Sequence, residues 1–473
     1  MNRLIPFVAS GFCGTFRLSS WLVLGLLLGF PAFKGVPAGY LPILAGGGLL
    51  VLLHIGLPRL APSLERMGER TFLWILLLAS ALVPSALILV FRSAPTSDGF
   101  FVYREAVQLL ETGRMNPLTY YAPAQVWYFA LFFKLFGASP LAAQLCQIPL
   151  SAGIAFLVYF IGRQAGSIRA ARFAALGAVG YPGLALYPLV TPYYFHLYAV
   201  ALLLMVFSWL RLQASRPNWL PALWGGWAAG AGTLAKAVLL IAPLQTLFFL
   251  VTATGALFQR RLWAVWGLFI LAMAATLAPW TVRNFRVFGE PVLVCTSGPL
   301  VLYSANNPQS NGLYSALPDE KTVETPREML AHGAWCKEQA FSFIRAQPKA
   351  FARLVWLKLL HTWGTETSFV ELINWNGQPL GKKDPALRFI VQTGWAALVW
   401  AWAATAMSLW RRRAPPTALE IAAGIFVLSK FVVYSVYEGG ARHHLPAVPL
   451  LLLFVVCTWM APSPRPGSFT ANS

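Results

Sequence analysis

The sequence predicts an all-α polytopic membrane protein, a bundle of about 12 membrane-crossing helices with interfacial helices and a helical segment on one face. Three observations carry this. Hydrophobic residues fill 58% of the 473 positions and charged residues only 11%, where a soluble domain carries roughly 25% charged. Apolar runs of bilayer-crossing length recur along the chain. The arginines in the short connections between those runs fall on alternate turns, which orients the whole bundle.

The runs are Ser19–Phe33, Val36–Leu57, Leu73–Phe91, Leu141–Ile161, Ala170–Leu189, Tyr193–Leu210, Leu220–Leu234, Ala237–Leu257, Leu262–Leu277, Phe389–Trp410, Ala418–Tyr437 and Leu445–Met460. Pro31 breaks the first, so the first two are expected to form a tight hairpin. With the N-terminus inside, Arg17, Arg59, Arg66, Arg70, Arg163, Arg169, Arg172, Arg211, Arg216, Arg260, Arg261, the triplet Arg411–Arg413 and Arg465 all fall inside. The opposite face then carries the loop 92–113, the region near Lys236, the long segment 280–386 and the loop Glu438–His444. On that face Tyr121–Gly137 reads as an aromatic helix lying along the interface. Pro326–Ala346 reads as a helix with Pro at its first position, and Lys349–Trp363 as a basic amphipathic helix at the membrane surface. The expected divisions are 1–72, a two-span hairpin; 73–280, a core with an outer loop over 92–140; 281–388, an outer-face segment; and 389–473, a three-span bundle. No cleavable leader is read in Met1–Ser20.

The formal net charge of +20 lies in short inter-span loops rather than on a soluble stripe, which argues against a nucleic-acid partner and for membrane lipids. No Gly-rich phosphate loop, nucleotide fingerprint or zinc signature occurs. No cofactor is certain, no metal ligand set is read, and a divalent cation stays open. Cys295 and Cys336 share the long polar segment, where a disulfide and two separate thiols are equally open.

Four places on the outer face bear chemistry. Asp98 follows a span, with Tyr103 and Glu105 one and two turns on. Lys236 stands between two apolar runs behind Gly225, Gly226, Gly230 and Gly232; an ionisable residue at membrane depth points to function, while the glycines point to close helix packing. Arg283 and Arg286 leave a span and lead to the turn of Asn306 and Asn307. Arg442, His443 and His444 follow Gly439 and Gly440. One acidic loop and several cations thus arrive from distant parts of the chain. A sugar leaving a lipid phosphate needs such a set: fixed cations stabilise the departing phosphate, and a carboxylate takes the proton of the incoming group.

These passages carry a family resemblance: SDGFFVYREAVQLLETGRMNP, YYAPAQVWYFALFFKLFGASPLAAQL, GTLAKAVLLIAP, APWTVRNFRVFGEPVLVCTSGPLVLYSANNPQSNGLY and ARHHLPAVPLLLLF. From about Leu73 onward the chain resembles the integral-membrane glycosyltransferases of the GT-C superfamily, of the bacterial kind related to protein O-mannosyltransferases and aminoarabinose transferases, like glycosyltransferase family 39. The resemblance implies a GT-C-like bundle in the bacterial inner membrane with a periplasmic active site. It implies a polyprenyl-phosphate-linked sugar donor and inverting hexosyl or pentosyl transfer to a lipid, glycan or protein. Asp98 matches the family's catalytic acid, Tyr103 an aromatic position of the same motif, and Lys236, Arg283 and Arg442 basic positions near the donor phosphate. Glu105, Asn306, Asn307 and His443 are the candidates for acceptor contact or a second acid, because relatives pair Asp with Glu where this chain has Asp98–Gly99. No acid stands in TPYYFHLY, where His196 is the ionisable residue. The alternatives are a transporter or flippase of lipid-linked sugars and a non-catalytic subunit of a polysaccharide assembly system.

Overall fold

The computed structural model describes residues 4–91, 94–190, 193–213, 219–254, 257, 259–315, 323–375, 378–379 and 384–460. Arg92, Arg216 and Arg465 lie outside the described residues. The chain begins with α1 (Leu4–Lys34), which runs through Pro31 and stops at Gly35, held at φ +63°. After a short turn, α2 (Tyr40–Arg66) returns. Both pack on helices from the far end of the chain. Gly46 of α2 lies so close to Ala396 that a Cβ there would stand 2.7 Å from the alanine methyl.

Next come α3 (Glu69–Val90) and the short α4 (Ser97–Thr112), which Gly113 ends in the left-handed conformation, where a side chain would be strained. The aromatic helix α5 (Ala124–Phe136) packs on α4. The chain continues through α6 (Pro140–Leu145), α7 (Gln147–Ala165), α8 (Ile168–Gly180), α9 (Pro182–Val190), α10 (Phe195–Leu212), α11 (Leu220–Ala235), α12 (Ala242–Thr254) and α13 (Arg260–Phe288). The glycine series on α11 is a packing surface. A Cβ on Gly226 would stand 2.2 Å from Phe269 O of α13, and one on Gly225 would stand 2.2 Å from Ser208 Oγ of α10.

The segment after α13 contains α14 (Ser297–Ser304), α15 (Pro326–Ala346) and α16 (Pro348–Trp363). Helix α15 starts with Pro326 at N1 and a capping box between Thr325 and Glu328, which satisfies its free N–H groups. A two-residue ladder pairs Asn374–Trp375 with Gln378–Pro379. The chain closes with α17 (Pro385–Arg411), α18 (Ala418–Val436) and α19 (Val448–Trp459).

Among the described residues, 9 helical segments are long and apolar enough to cross a membrane. The other three apolar runs form shorter pieces. One is split between α8 and α9, where Pro182 supplies no backbone donor; the others are the 16-residue α11 and the segment Ala237–Ala253. Several of the loop arginines find partners at one end of the bundle. Arg163 pairs with Glu69, Arg172 donates to the carbonyls of Leu64 and Met67, and Arg169 stands 3.9 Å from Glu65. Arg17 is buried on Glu420 at 2.6 Å and donates to Ala414 O at 3.1 Å. All five cysteines are free thiols, Cys295 and Cys336 included.

Candidate active site

Asp98 occupies the first turn of α4, where the helix N-terminus favours a carboxylate. Its Oδ1 accepts from Tyr121 Oη at 3.2 Å, and its Oδ2 stands 3.3 Å from Arg442 Nη1. About a third of each side chain in this ion pair stays open, 30% for Asp98 and 31% for Arg442, so the pair faces a space rather than closing one. These residues lie 344 positions apart in sequence.

The arginine is aimed by its own loop. Gly439 donates to Gly312 O at 2.8 Å and Gly440 to Thr362 Oγ1 at 3.1 Å. A Cβ on Gly439 would stand 2.6 Å from Lys358 O, so only glycine fits against α16. The turn Ala441–His443 then carries Arg442 back over Glu438, Nη2 to Oε1 at 2.7 Å. Burial alone would raise the Glu438 carboxyl; the charge of Arg442, helped by His443 and Lys236, overrides it and holds the group below the usual carboxylate range. His443 is buried flat on Tyr434, ring centroids 3.9 Å apart, with Nε2 3.4 Å from Glu438 Oε1. His444 anchors the next turn, with Nδ1 2.5 Å from Thr362 O and Nε2 3.4 Å from Glu366 Oε1, while Tyr181 Oη donates to Glu366 Oε2 at 2.7 Å.

Lys236 caps α11 where the backbone leaves the helix. Its ammonium stands 4.5 Å from the centre of the Tyr194 ring, a cation–π contact, within electrostatic reach of Glu438, Arg442 and Asp98. Tyr121, Tyr193 and Tyr194 form a chain of edge-to-face rings between Asp98 and Lys236. Three of the residues expected to converge therefore do so: Asp98, Arg442 and Lys236.

Of the remaining expected site residues, His443 sits beside Glu438 and the others lie elsewhere. Arg283 turns away from Asp98. It donates to Thr119 Oγ1 at 2.6 Å and to the carbonyls of Met115 and Asn116, and it stacks 4.8 Å from Trp280. It clasps the connection between α4 and α5. Glu105 lies behind that connection; burial pushes its carboxyl up to about 7, opposed by the Asn116 N–H and the charge of Arg283. Tyr103, more than a third of a turn around α4 from Asp98, packs edge-on against Phe133 at 5.2 Å. Asn307 bonds its own turn, to Tyr303 O and Ser304 O. Asn306 is buried between Leu302 O and Val436 O, with its Oδ1 taken by Lys358 Nζ at 2.7 Å. The sequence reading overlooked Glu438, Tyr121, Tyr194 and Lys358. Glu438 had a signal, an acid four residues before an arginine. Lys358 sits inside an amphipathic helix that looked solvated; it is fully buried, and burial pushes its ammonium down to about 7. No group of three or more His, Cys, Asp or Glu is placed to hold a metal among the described residues.

The described residues form a helical bundle whose loops gather one open carboxylate and several cations, and comparison with known proteins shows that its fold is shared with solved membrane-enzyme structures. The family described as dolichyl-phosphate-mannose-protein mannosyltransferase matches residues 121–280, about a third of the chain. No curated protein matches it. Among solved structures, the apo oligosaccharyltransferase of Archaeoglobus fulgidus superposes with a TM-score of 0.50 at 13% identity, covering 82% of this chain and 50% of that one. The same enzyme, AglB, in complex with an inhibitory peptide and a dolichol-phosphate gives 0.50 at 15% identity, again over 82% and 50%. ArnT from Cupriavidus metallidurans bound to undecaprenyl phosphate gives 0.44 at 14% identity, over 83% and 77%. The chain spans about half the length of the archaeal enzyme.

Proposed function

We propose that this protein is an inverting glycosyltransferase of the bacterial inner membrane that moves a sugar from a polyprenyl-phosphate-linked donor to an acceptor on the outer face. The observation that carries this reading is the Asp98–Arg442–Glu438 cluster beside Lys236, assembled from α4, α11 and the loop before α19. The family match and the shared fold of a dolichol-phosphate-binding enzyme support the donor class.

Each part has a physical role. Arg442 and Lys236 hold the donor phosphate and stabilise the charge it gains as the sugar departs. Asp98 takes the proton of the attacking hydroxyl or amine. The bond from the anomeric carbon to the phosphate oxygen breaks with its electron pair on that oxygen. The bond to the acceptor forms on the opposite face, which inverts the carbon. Glu438 keeps Arg442 aimed. Arg442 pairs with Asp98, so an incoming phosphate competes for the guanidinium and frees the carboxylate to act as base.

The test uses purified protein with polyprenyl-phosphate sugars. Wild type is expected to release free polyprenyl phosphate, and Asp98→Asn to abolish release at unchanged membrane abundance. Full activity in that variant removes Asp98 from the mechanism. Sugar crossing a sealed vesicle without release of the carrier marks a transporter instead, and neither signal marks a non-catalytic subunit.

A further inference from the structure

The last turn of α16 holds the arginine loop at two points through a single residue, the fully buried Thr362. Its side-chain Oγ1 accepts from the Gly440 N–H at 3.1 Å, and its carbonyl faces His444 Nδ1 at 2.5 Å. Arg442 lies midway between those two attachments in the chain. A carbonyl only accepts, so Nδ1 of His444 carries the proton and Nε2 is turned to Glu366 Oε1 at 3.4 Å.

The two attachments are built differently. The His444 ring lies flat against Trp395, centroids 4.0 Å apart, and against Trp363 at 5.7 Å. Trp395 Nε1 donates to Trp363 O at 3.0 Å, which ties the two rings together. Glu366 is held in turn by the Tyr181 hydroxyl and, at its own N–H, by Gln392 Oε1. Many contacts therefore fix that end. At the other end Gly439 is packed on α16 and bonded to Gly312 O at 2.8 Å. The freedom that remains lies at Gly440, where the missing side chain leaves the backbone a wide choice of conformations. There the Thr362 hydroxyl is the group that takes the N–H. Arg442 reaches Glu438 at 2.7 Å and Asp98, on α4, at 3.3 Å. The longer contact, to another part of the chain, is the one a shifted loop loses first.

We propose that Thr362 is a positioning residue: its hydroxyl selects the one conformation of Gly440 that carries the Arg442 guanidinium to Asp98. It acts through Gly440 rather than on the reacting groups. The inference rests on the glycosyltransferase reading for the task Arg442 performs, and on geometry alone for how Arg442 is aimed.

The experiment uses the full-length protein in lipid nanodiscs. It compares Thr362→Val, which keeps the shape and removes the acceptor, with Thr362→Ser, which keeps the acceptor. Release of polyprenyl phosphate from a polyprenyl-phosphate sugar gives kcat and KM. The rate at which phenylglyoxal modifies Arg442, followed by mass spectrometry of its peptide, reports how firmly the guanidinium is engaged. Thr362→Val is expected to lower kcat roughly 10- to 100-fold and to speed modification of Arg442 several-fold. Its KM should stay within a few-fold of wild type, because the charges that hold the donor remain. Thr362→Ser is expected to stay close to wild type in both readouts. A loss confined to the amount of folded protein, with kcat and modification rate per folded molecule unchanged, means a structural role and overturns the proposal. A Thr362→Ser variant that falls as far as Thr362→Val overturns it too. Thr362→Ala removes the same hydroxyl and serves, on the same criteria, if Thr362→Val does not accumulate. If Thr362→Val speeds modification of Arg442 in a protein that transfers no sugar, the activity fails and the positioning stands. If transfer proceeds and Thr362→Val matches wild type in both readouts, the positioning alone fails.

Discussion

The two ends of this bundle treat charge in opposite ways. At one end each arginine described above has an acceptor: Arg17 the carboxylate of Glu420, Arg172 the carbonyls at the end of α2, Arg163 the carboxylate of Glu69. At the other end Arg442 is shared between two acids, and Lys236 and Lys430 rest on tyrosine rings. A saturated ion pair fixes structure. An unsaturated one keeps attraction in reserve for a ligand. The sign of the charge is the same at both ends; only its state of satisfaction separates scaffold from site.

Substitutions at the two ends should therefore separate rate from stability. Arg442→Lys keeps the charge but cannot fork between Asp98 and Glu438. It is expected to lose ~10²- to 10³-fold in sugar transfer at near-normal abundance, measured as release of polyprenyl phosphate; transfer within a few-fold of wild type would mean the fork is dispensable. Arg17→Met leaves Glu420 buried without its partner. It is expected to cost about 3–5 kcal/mol of stability, read as a lower denaturation midpoint, while transfer per folded molecule stays unchanged, and Arg17→Met with Glu420→Met together should recover much of the loss. The smallest effect belongs to Glu105. Burial raises its carboxyl to about 7 in the folded state, above the unfolded value of 4.5. The folded protein therefore binds the extra proton, and stability falls as pH rises between those values. Glu105→Gln should flatten that dependence; a melting curve that keeps the same slope from pH 5 to pH 8 in the variant would contradict it.

Much of the fold was legible because each long apolar helix writes its own hydrophobic run. The bounds of α15 and α16 were readable from their prolines, and Asp98, Lys236 and Arg442 from charge placed at span ends. Direction was not legible. Arg283, Tyr103 and Asn306 are residue types that serve active sites, yet each is spent on a neighbouring carbonyl, ring or lysine, and nothing in a linear spacing reveals which way a side chain turns. Lys430 was hidden for the opposite reason. One lysine barely lowers the hydropathy of the run Ala418–Tyr437, although a charge inside a span is itself a pointer to function. Lys358 was masked by a helix whose lysines and arginines look solvated until Gly312 and Gly439 are seen closing over it.

The bare backbone at Gly439 has a mechanical meaning. With no side chain between them, the main chain of the arginine loop rests on the main chain of α16, and Lys358 ties both to the end of α18 through Val436 O at 3.0 Å. A rigid joint of this kind transmits tilt without slack. A tilt of α16 is therefore expected to carry the loop that holds Arg442 with it.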